Sequence, residues 1–230
     1  MRKNIIKLFG SVALLACASA THAQIITNGD FETGDFTGWT VAGAAITAET
    51  TTPIAGTTSA AFPGGFGGNS LTQTFADITD DFTFSMDYTS AAPAAGRSLN
   101  VYIGQNGGGN PRINLRLIDG GGTGTIQAFN GAWQDVLTGI SFAGTQTLTV
   151  DVSNIGASTQ YTVDVGGSTS AAVSFFQTST PLSFGTVSLQ NADQAWGADN
   201  VSLTVVPEPS TFALLIAGFA GLFFVKRRRK

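Results

Sequence analysis

The stretch FTFSMDY, residues 82–88, alternates without a break: Phe82, Phe84, Met86 and Tyr88 fall on one side of an extended chain, Thr83, Ser85 and Asp87 on the other. Side chains of a strand point to opposite faces in turn, so this pattern sets one face in a core and the other in water. The same period recurs in LNVYI (99–103), INLRL (113–117), LTVDV (148–152), YTVDV (161–165), VSF (173–175), VSL (187–189) and VSLTV (201–205). No part of residues 24–205 sustains the helical period instead. Many short strands, each with one apolar and one polar face, predict an all-β fold, an antiparallel jelly-roll β-sandwich, in a single domain over residues 24–205.

Three glycine-rich stretches, 64–68, 104–109 and 120–124, interrupt these runs. A phosphate-cradling loop would lead into a helix through Gly-Lys-Ser or Gly-Lys-Thr, and none of the three does, so they read as turns and surface loops. Of eleven Lys and Arg in 230 residues, three lie at the start and five at the extreme end. The body keeps only Arg97, Arg112 and Arg116 against fourteen of the fifteen acidic residues, a net charge of −11. A surface this acidic repels phosphate backbones and excludes nucleic acid as a partner; it suits calcium, or neutral partners such as sugars.

Both ends carry addresses. Residues 1–23 show a basic start, an apolar run from Leu8 to Ala16, and small residues before Gln24, the pattern of a secretory signal peptide. Thr21-His22-Ala23 fits the cleavage site, with Ala18-Ser19-Ala20 as the alternative. Leu14-Leu15-Ala16-Cys17 also resembles a bacterial lipoprotein box, in which Cys17 would be lipidated. On the first reading Cys17 and His22, the chain's one Cys and one His, leave with the signal. The mature protein then has no thiolate or imidazole for catalysis or zinc.

At the other end, residues 211–225 are uncharged and apolar, and Lys226, Arg227, Arg228, Arg229 and Lys230 follow. Fifteen helical residues span roughly 22 Å, short of a ~30 Å hydrocarbon core, and the basic stub favours a cytoplasmic end. The expectation is an exported body with one transmembrane helix in the inner membrane. Val206, Pro207, Glu208, Pro209, Ser210 and Thr211, the apolar segment and the Arg-rich stub together resemble the PEP-CTERM sorting signal of Gram-negative bacteria. The resemblance, over residues 206–230, implies recognition and removal of the tail by an exosortase in a cell that secretes exopolysaccharide. Its destination would be the cell surface or biofilm matrix. Two prolines around Glu208 hold that segment extended, as a protease substrate must be.

In the body, Asn28-Gly29-Asp30-Phe31-Glu32-Thr33-Gly34 resembles the opening strand of galactose-binding-like jelly rolls, and Ala198-Asp199-Asn200-Val201-Ser202-Leu203 their closing strand. That family joins first and last strands, often around a structural calcium. The resemblance implies Glu32 and Asp199 as ligands, with Asp30 a further candidate; turn hydrogen bonds are the other role open to these aspartates. Residues 113–133 and 161–189 look more like a laminin-G or legume-lectin sandwich. Trp39 and Trp196 read as packing residues near the joined termini.

Two strands suggest where a ligand would bind. Period two places Arg112, Asn114 and Arg116 on one face, and Asn100 and Tyr102 on the polar face of the strand before. If those strands pair, planar hydrogen-bonding groups meet an aromatic ring, a combination that binds sugars, and Trp133 and Gln127 extend the patch. A solvated outer face is the other reading of the same pattern. The residues offer no paired glutamates in glycosidase spacing, and Asp80 and Asp81 are adjacent, so their side chains diverge. The expectation is therefore no enzyme but a carbohydrate-binding module with extracellular polysaccharide as partner, or else a structural matrix protein without a specific ligand, with a glycan-active enzyme as the remoter alternative.

Overall fold

The computed structural model describes residues 24–43, 45–65, 68–90, 96–104, 111–153, 155, 160–176 and 182–206. The expected signal peptide and Cys17, and the tail from Pro207 with its expected helix and basic stub, lie outside them. Among the described residues there are fifteen strands and no helix. They form two sheets in which every pairing is antiparallel.

The front sheet runs, edge to edge, through β1 (Thr40–Ala42), β4 (Ser70–Ile78), β14 (Phe184–Asn191), β6 (Gly96–Gly104), β7 (Pro111–Asp119), β8 (Thr123–Phe129) and β9 (Trp133–Ser141). The back sheet runs through β12 (Ser168–Thr169), β11 (Gln160–Val165), β10 (Gln146–Val152), β5 (Phe82–Ser90), β15 (Trp196–Val205), β3 (Ser59–Phe62) and β2 (Thr47–Glu49), with β13 (Val173–Ser174) also on β11. The expected β-sandwich is what forms.

Its core follows from the alternation. Phe82, Phe84, Met86 and Tyr88 of β5 are buried, as are Leu148, Val150 and Val152 of β10 beside them. From the front sheet, Leu99, Val101 and Ile103 of β6 meet Ile113, Leu115 and Leu117 of β7, all fully buried. Each such side chain stabilises the fold by roughly 1.5–3 kcal/mol relative to exposure. Aromatic contacts tie the layers at both ends. Phe82 and Phe184 rings lie 4.8 Å apart at one end. At the other, Tyr88, Phe142 and Trp196 pack mutually at 5.4–5.7 Å. The 120–124 stretch is the turn expected: Asp119 Oδ1 accepts from Gly121 N at 2.8 Å and Gly122 N at 2.9 Å, closing the β7–β8 hairpin.

The N-terminal segment is a strap, not a strand. Gln24 bridges Thr204, Ile25 N donates to Leu203 O at 2.9 Å, and Val201 N donates to Gly29 O at 2.8 Å. The first and last segments do meet. Residues 28–34, however, form turns, with Asn28 at φ 48° and Phe31 at φ 53°. Left-handed backbone cannot continue a strand, which corrects the expectation of an opening strand there. Burial offsets the strain at Phe31: its ring is fully covered and sits 5.8 Å from both Phe36 and Trp39. Trp39 Nε1 donates to Asn28 O at 3.1 Å, so Trp39 packs at the joined termini as expected. Trp196 packs at the opposite end of β15.

Gly29 is the tightest point of the strap. A Cβ there would lie 1.9 Å from the backbone oxygen of Val201, which cannot yield without opening β15. Gly29→Ala is expected to destabilise by at least the ~1–3 kcal/mol of an overpacked interior, read as a shift in the denaturant midpoint at unchanged m-value.

Candidate functional site

The outward face of the front sheet is polar for the same reason that its inward face is apolar. Between the buried residues of β6 stand Asn100 and Tyr102, and between those of β7 stand Asn114 and Arg116, all half-buried. The register aligns them across strands. Gln190 of β14 faces Asn100, Asn100 faces Arg116, Arg116 faces Gln127 of β8, and Gln127 faces Asp135 of β9. Two residues along each strand, Ser188 faces Tyr102 and Tyr102 faces Asn114.

Asn100, Tyr102, Arg116 and Trp133 line one recess of about 270 Å³, together with Gly68, Gln190, Asn191 and Ala192. Arg116 lies over the Trp133 ring, its Cζ 3.9 Å from the ring centroid, a cation–π contact. Its Nε donates to Gln127 Oε1 at 2.5 Å, and Gln127 Nε2 donates to Asp135 Oδ1 at 2.5 Å. The ring itself is wedged by Phe129 at 5.3 Å, which in turn meets Phe176 at 4.7 Å. Guanidinium and indole are thus held in place by neighbours on β8 and β9. Burial pushes the Tyr102 phenol up, partly offset by its hydrogen bond with Asn100, so it stays a neutral donor at physiological pH. Two amide oxygens, Asn114 Oδ1 and Asn191 Oδ1, are buried without a hydrogen-bond partner among the described residues. Asn191 Nδ2 is engaged by Pro63 O.

Arg112 is not on this face. The β6–β7 register shifts between Ile103 and Gly104, leaving Arg112 as the extra residue of a bulge. The bulge breaks the period-two parity assumed for residues 112–116. Arg112 is 2% exposed, and its carbonyl accepts from Phe176 N at 2.8 Å. Asn114 keeps the expected face. Gln190, Asn191 and Gly68 were missed; the alternation of β14 is readable, but its place beside β6 is set by long-range pairing.

Glu32 and Asp199 flank a single loop at the strap. Glu32 Oε1 accepts from Thr57 N at 2.8 Å and Thr58 N at 3.1 Å, and Oε2 from Thr57 Oγ1 at 2.6 Å. Asp199 Oδ2 accepts from Ala55 N at 2.9 Å, and Oδ1 from Asn200 N at 2.7 Å. Asp30 is exposed on the strap, its Oδ1 3.5 Å from Glu32 N. Calcium needs about six to eight oxygens turned to a common centre. Here both carboxylates face N–H and O–H donors, and among the described residues no three acidic or other ligating side chains gather to hold a metal. Asp30, Glu32 and Asp199 do not fit the ion that the resemblance implied; two of them act as a hydrogen-bonded latch.

The latch residues titrate in opposite directions. The Thr57 hydroxyl and then the Thr57 and Thr58 N–H groups hold Glu32 below the usual carboxylate range. Burial pushes Asp199 up to about 6 against its two backbone hydrogen bonds, with the charges of Asp87 and Glu32 adding to the rise.

Comparison with known proteins bears on both parts of the chain. Residues 205–230 match the PEP-CTERM protein-sorting motif. The search of curated proteins gave no match. Among solved structures, a carbohydrate esterase of the Shiga toxin-encoding bacteriophage phi24B aligns over 81% of this chain and 100% of its own, at TM-score 0.64 and 13% identity. A sialidase aligns over 84% of this chain but only 19% of its own, at TM-score 0.60 and 12% identity. The globular domain of T. cruzi calreticulin aligns over 86% and 97%, at TM-score 0.54 and 10% identity. At such identities the likeness is one of fold. The chain therefore carries a sorting motif behind a β-sandwich, and that motif implies export and processing by an exosortase.

Two outcomes test the latch. Asp199 has a folded pKa near 6 and an unfolded one near 3.9. Between those values the unfolded chain gives up its proton first, so rising pH favours unfolding. Wild type should lose stability relative to Asp199→Asn from about pH 4 to about pH 6, with a constant offset elsewhere, in melts followed by circular dichroism. A calcium chelator should leave the melting temperature unchanged, whereas Gly56→Ala should lower it, because a Cβ there meets Glu32 Oε1 at 2.2 Å.

Proposed function

We propose that this chain is an exported protein of the cell surface or exopolysaccharide matrix that binds carbohydrate without catalysis. In this reading the exosortase acts on the tail while the chain is held in the inner membrane, and the sandwich then meets extracellular polysaccharide. The observation behind it is the recess itself: an immobilised indole beside a ring of amide, phenol and guanidinium groups. A sugar ring presents an apolar face and a rim of hydroxyls, so it needs apolar surface and planar hydrogen-bonding groups side by side. The recess supplies both.

Binding to a glycan array, followed by calorimetry on each hit, tests the reading. Trp133→Ala should weaken binding at least about tenfold, roughly 1.4 kcal/mol, with the melting curve little changed because Trp133 is on an edge strand. A protein that binds no glycan on the array is a structural matrix component instead.

A further inference from the structure

Asn28, Asn106 and Asn130 each precede a glycine. An Asn-Gly pair is prone to close on itself, because glycine has no Cβ to keep its backbone nitrogen away from the carboxamide before it. Asn106 lies outside the described residues. The fold treats the other two in opposite ways. Asn28 is held: its Nδ2 donates to the backbone oxygens of Asp35 and Thr37, at 3.1 Å each. Gly29 is buried, its carbonyl accepts from Val201 N at 2.8 Å, and a Cβ on it would lie 1.9 Å from Val201 O. Neither the Asn28 carboxamide nor the Gly29 peptide turns toward the other without opening the strap.

Asn130 and Gly131 belong to the three-residue connection 130–132 between β8 and β9, whose flanking residues Phe129 and Trp133 pair directly. Both are exposed. Asn130 N donates to Ala132 O at 3.1 Å, but among the described residues the Asn130 carboxamide and Gly131 N have no hydrogen-bond partner. Gly131 stands in open space at φ 81°, with no atom beyond its chain neighbours within 4 Å of where a Cβ would be. The side chain of Asn130 is thus free to change rotamer and bring its Cγ to the next nitrogen.

We propose that Asn130 is a site of spontaneous deamidation, with water as the co-reactant, and that the fold protects Asn28 from the same reaction. Gly131 N gives up its proton to solvent base and bonds to Asn130 Cγ. The Cγ–Nδ2 bond breaks, and the amide nitrogen leaves as ammonia with a proton from water. Water then opens the five-membered succinimide. Cleavage at Cγ leaves an aspartate at position 130; cleavage at the main-chain carbonyl leaves an isoaspartyl link, in which the chain runs through Cγ. Either product has gained one water and lost one ammonia. Both add a negative charge to the turn, and the second adds one backbone carbon between the paired Phe129 and Trp133.

The test incubates the full chain in mildly alkaline buffer, folded or in urea, and follows each Asn-Gly peptide by mass spectrometry. In the folded chain Asn130 should convert to aspartate and isoaspartate at least about ten times faster than Asn28, a decade in rate, and faster again as pH is raised. In urea the two should convert at similar rates, since the protection of Asn28 belongs to the fold. Asn130→Gln should remove isoaspartate from that peptide and leave the others as they were. An Asn130 that keeps its amide in the folded chain overturns the proposal, as does an Asn28 that converts there as quickly as Asn130.

Discussion

The constraint on which the molecule depends is the two-residue period of β6 and β7 in the middle of the front sheet. Leu99, Val101 and Ile103 must point inward to join the core, as must Ile113, Leu115 and Leu117. That necessity turns Asn100, Tyr102, Asn114 and Arg116 outward together, in register with Gln190 and Gln127. Core and recess are two consequences of one alternation. A register slip of one residue would lose both, sending leucines to water and an arginine into the core.

Around that frame several of the acids are held by neutral donors. The strap carboxylates are held by backbone N–H groups of residues 55–58. On the back sheet, Thr83 and Thr147 donate to Asp151 at 2.7 Å and Asp87 at 2.5 Å. Threonine is a good strand former, and its hydroxyl serves an acid across the ladder without a counter-charge. This helps a body with three arginines to tolerate fourteen acids.

The fold was largely legible because its central strands obey the alternation strictly. β5 and β6 could be read from seven and five residues. β4 could not: it reads SLTQTFADI, with polar groups on both faces. The reason lies elsewhere in the chain, since its buried Gln73 exchanges two hydrogen bonds with the Thr27 backbone, at 2.8 and 2.9 Å. β9 was hidden by the two register shifts of its pairing with β8. For the recess, the outward face of Asn100, Tyr102 and Arg116 follows from local alternation. The place of Arg112 does not, because a bulge is a tertiary event that no period announces. The acids at the strap were recognised as residues that matter, but the loop that engages them is distant from both and leaves no trace in their immediate neighbours.

The bridge from Gln24 to Thr204, with Val206 N donating to Asp81 O, brings the chain in and out of the sandwich at a single corner. That corner is at the Phe82–Phe184 end, whereas β14 has run its full length before it reaches Gln190 and Asn191. The recess therefore lies at the end of the sandwich away from the corner where the described chain enters and leaves. Among the described residues, every ladder of the two sheets closes by Val205, so the sandwich is complete before the sorting motif's prolines begin.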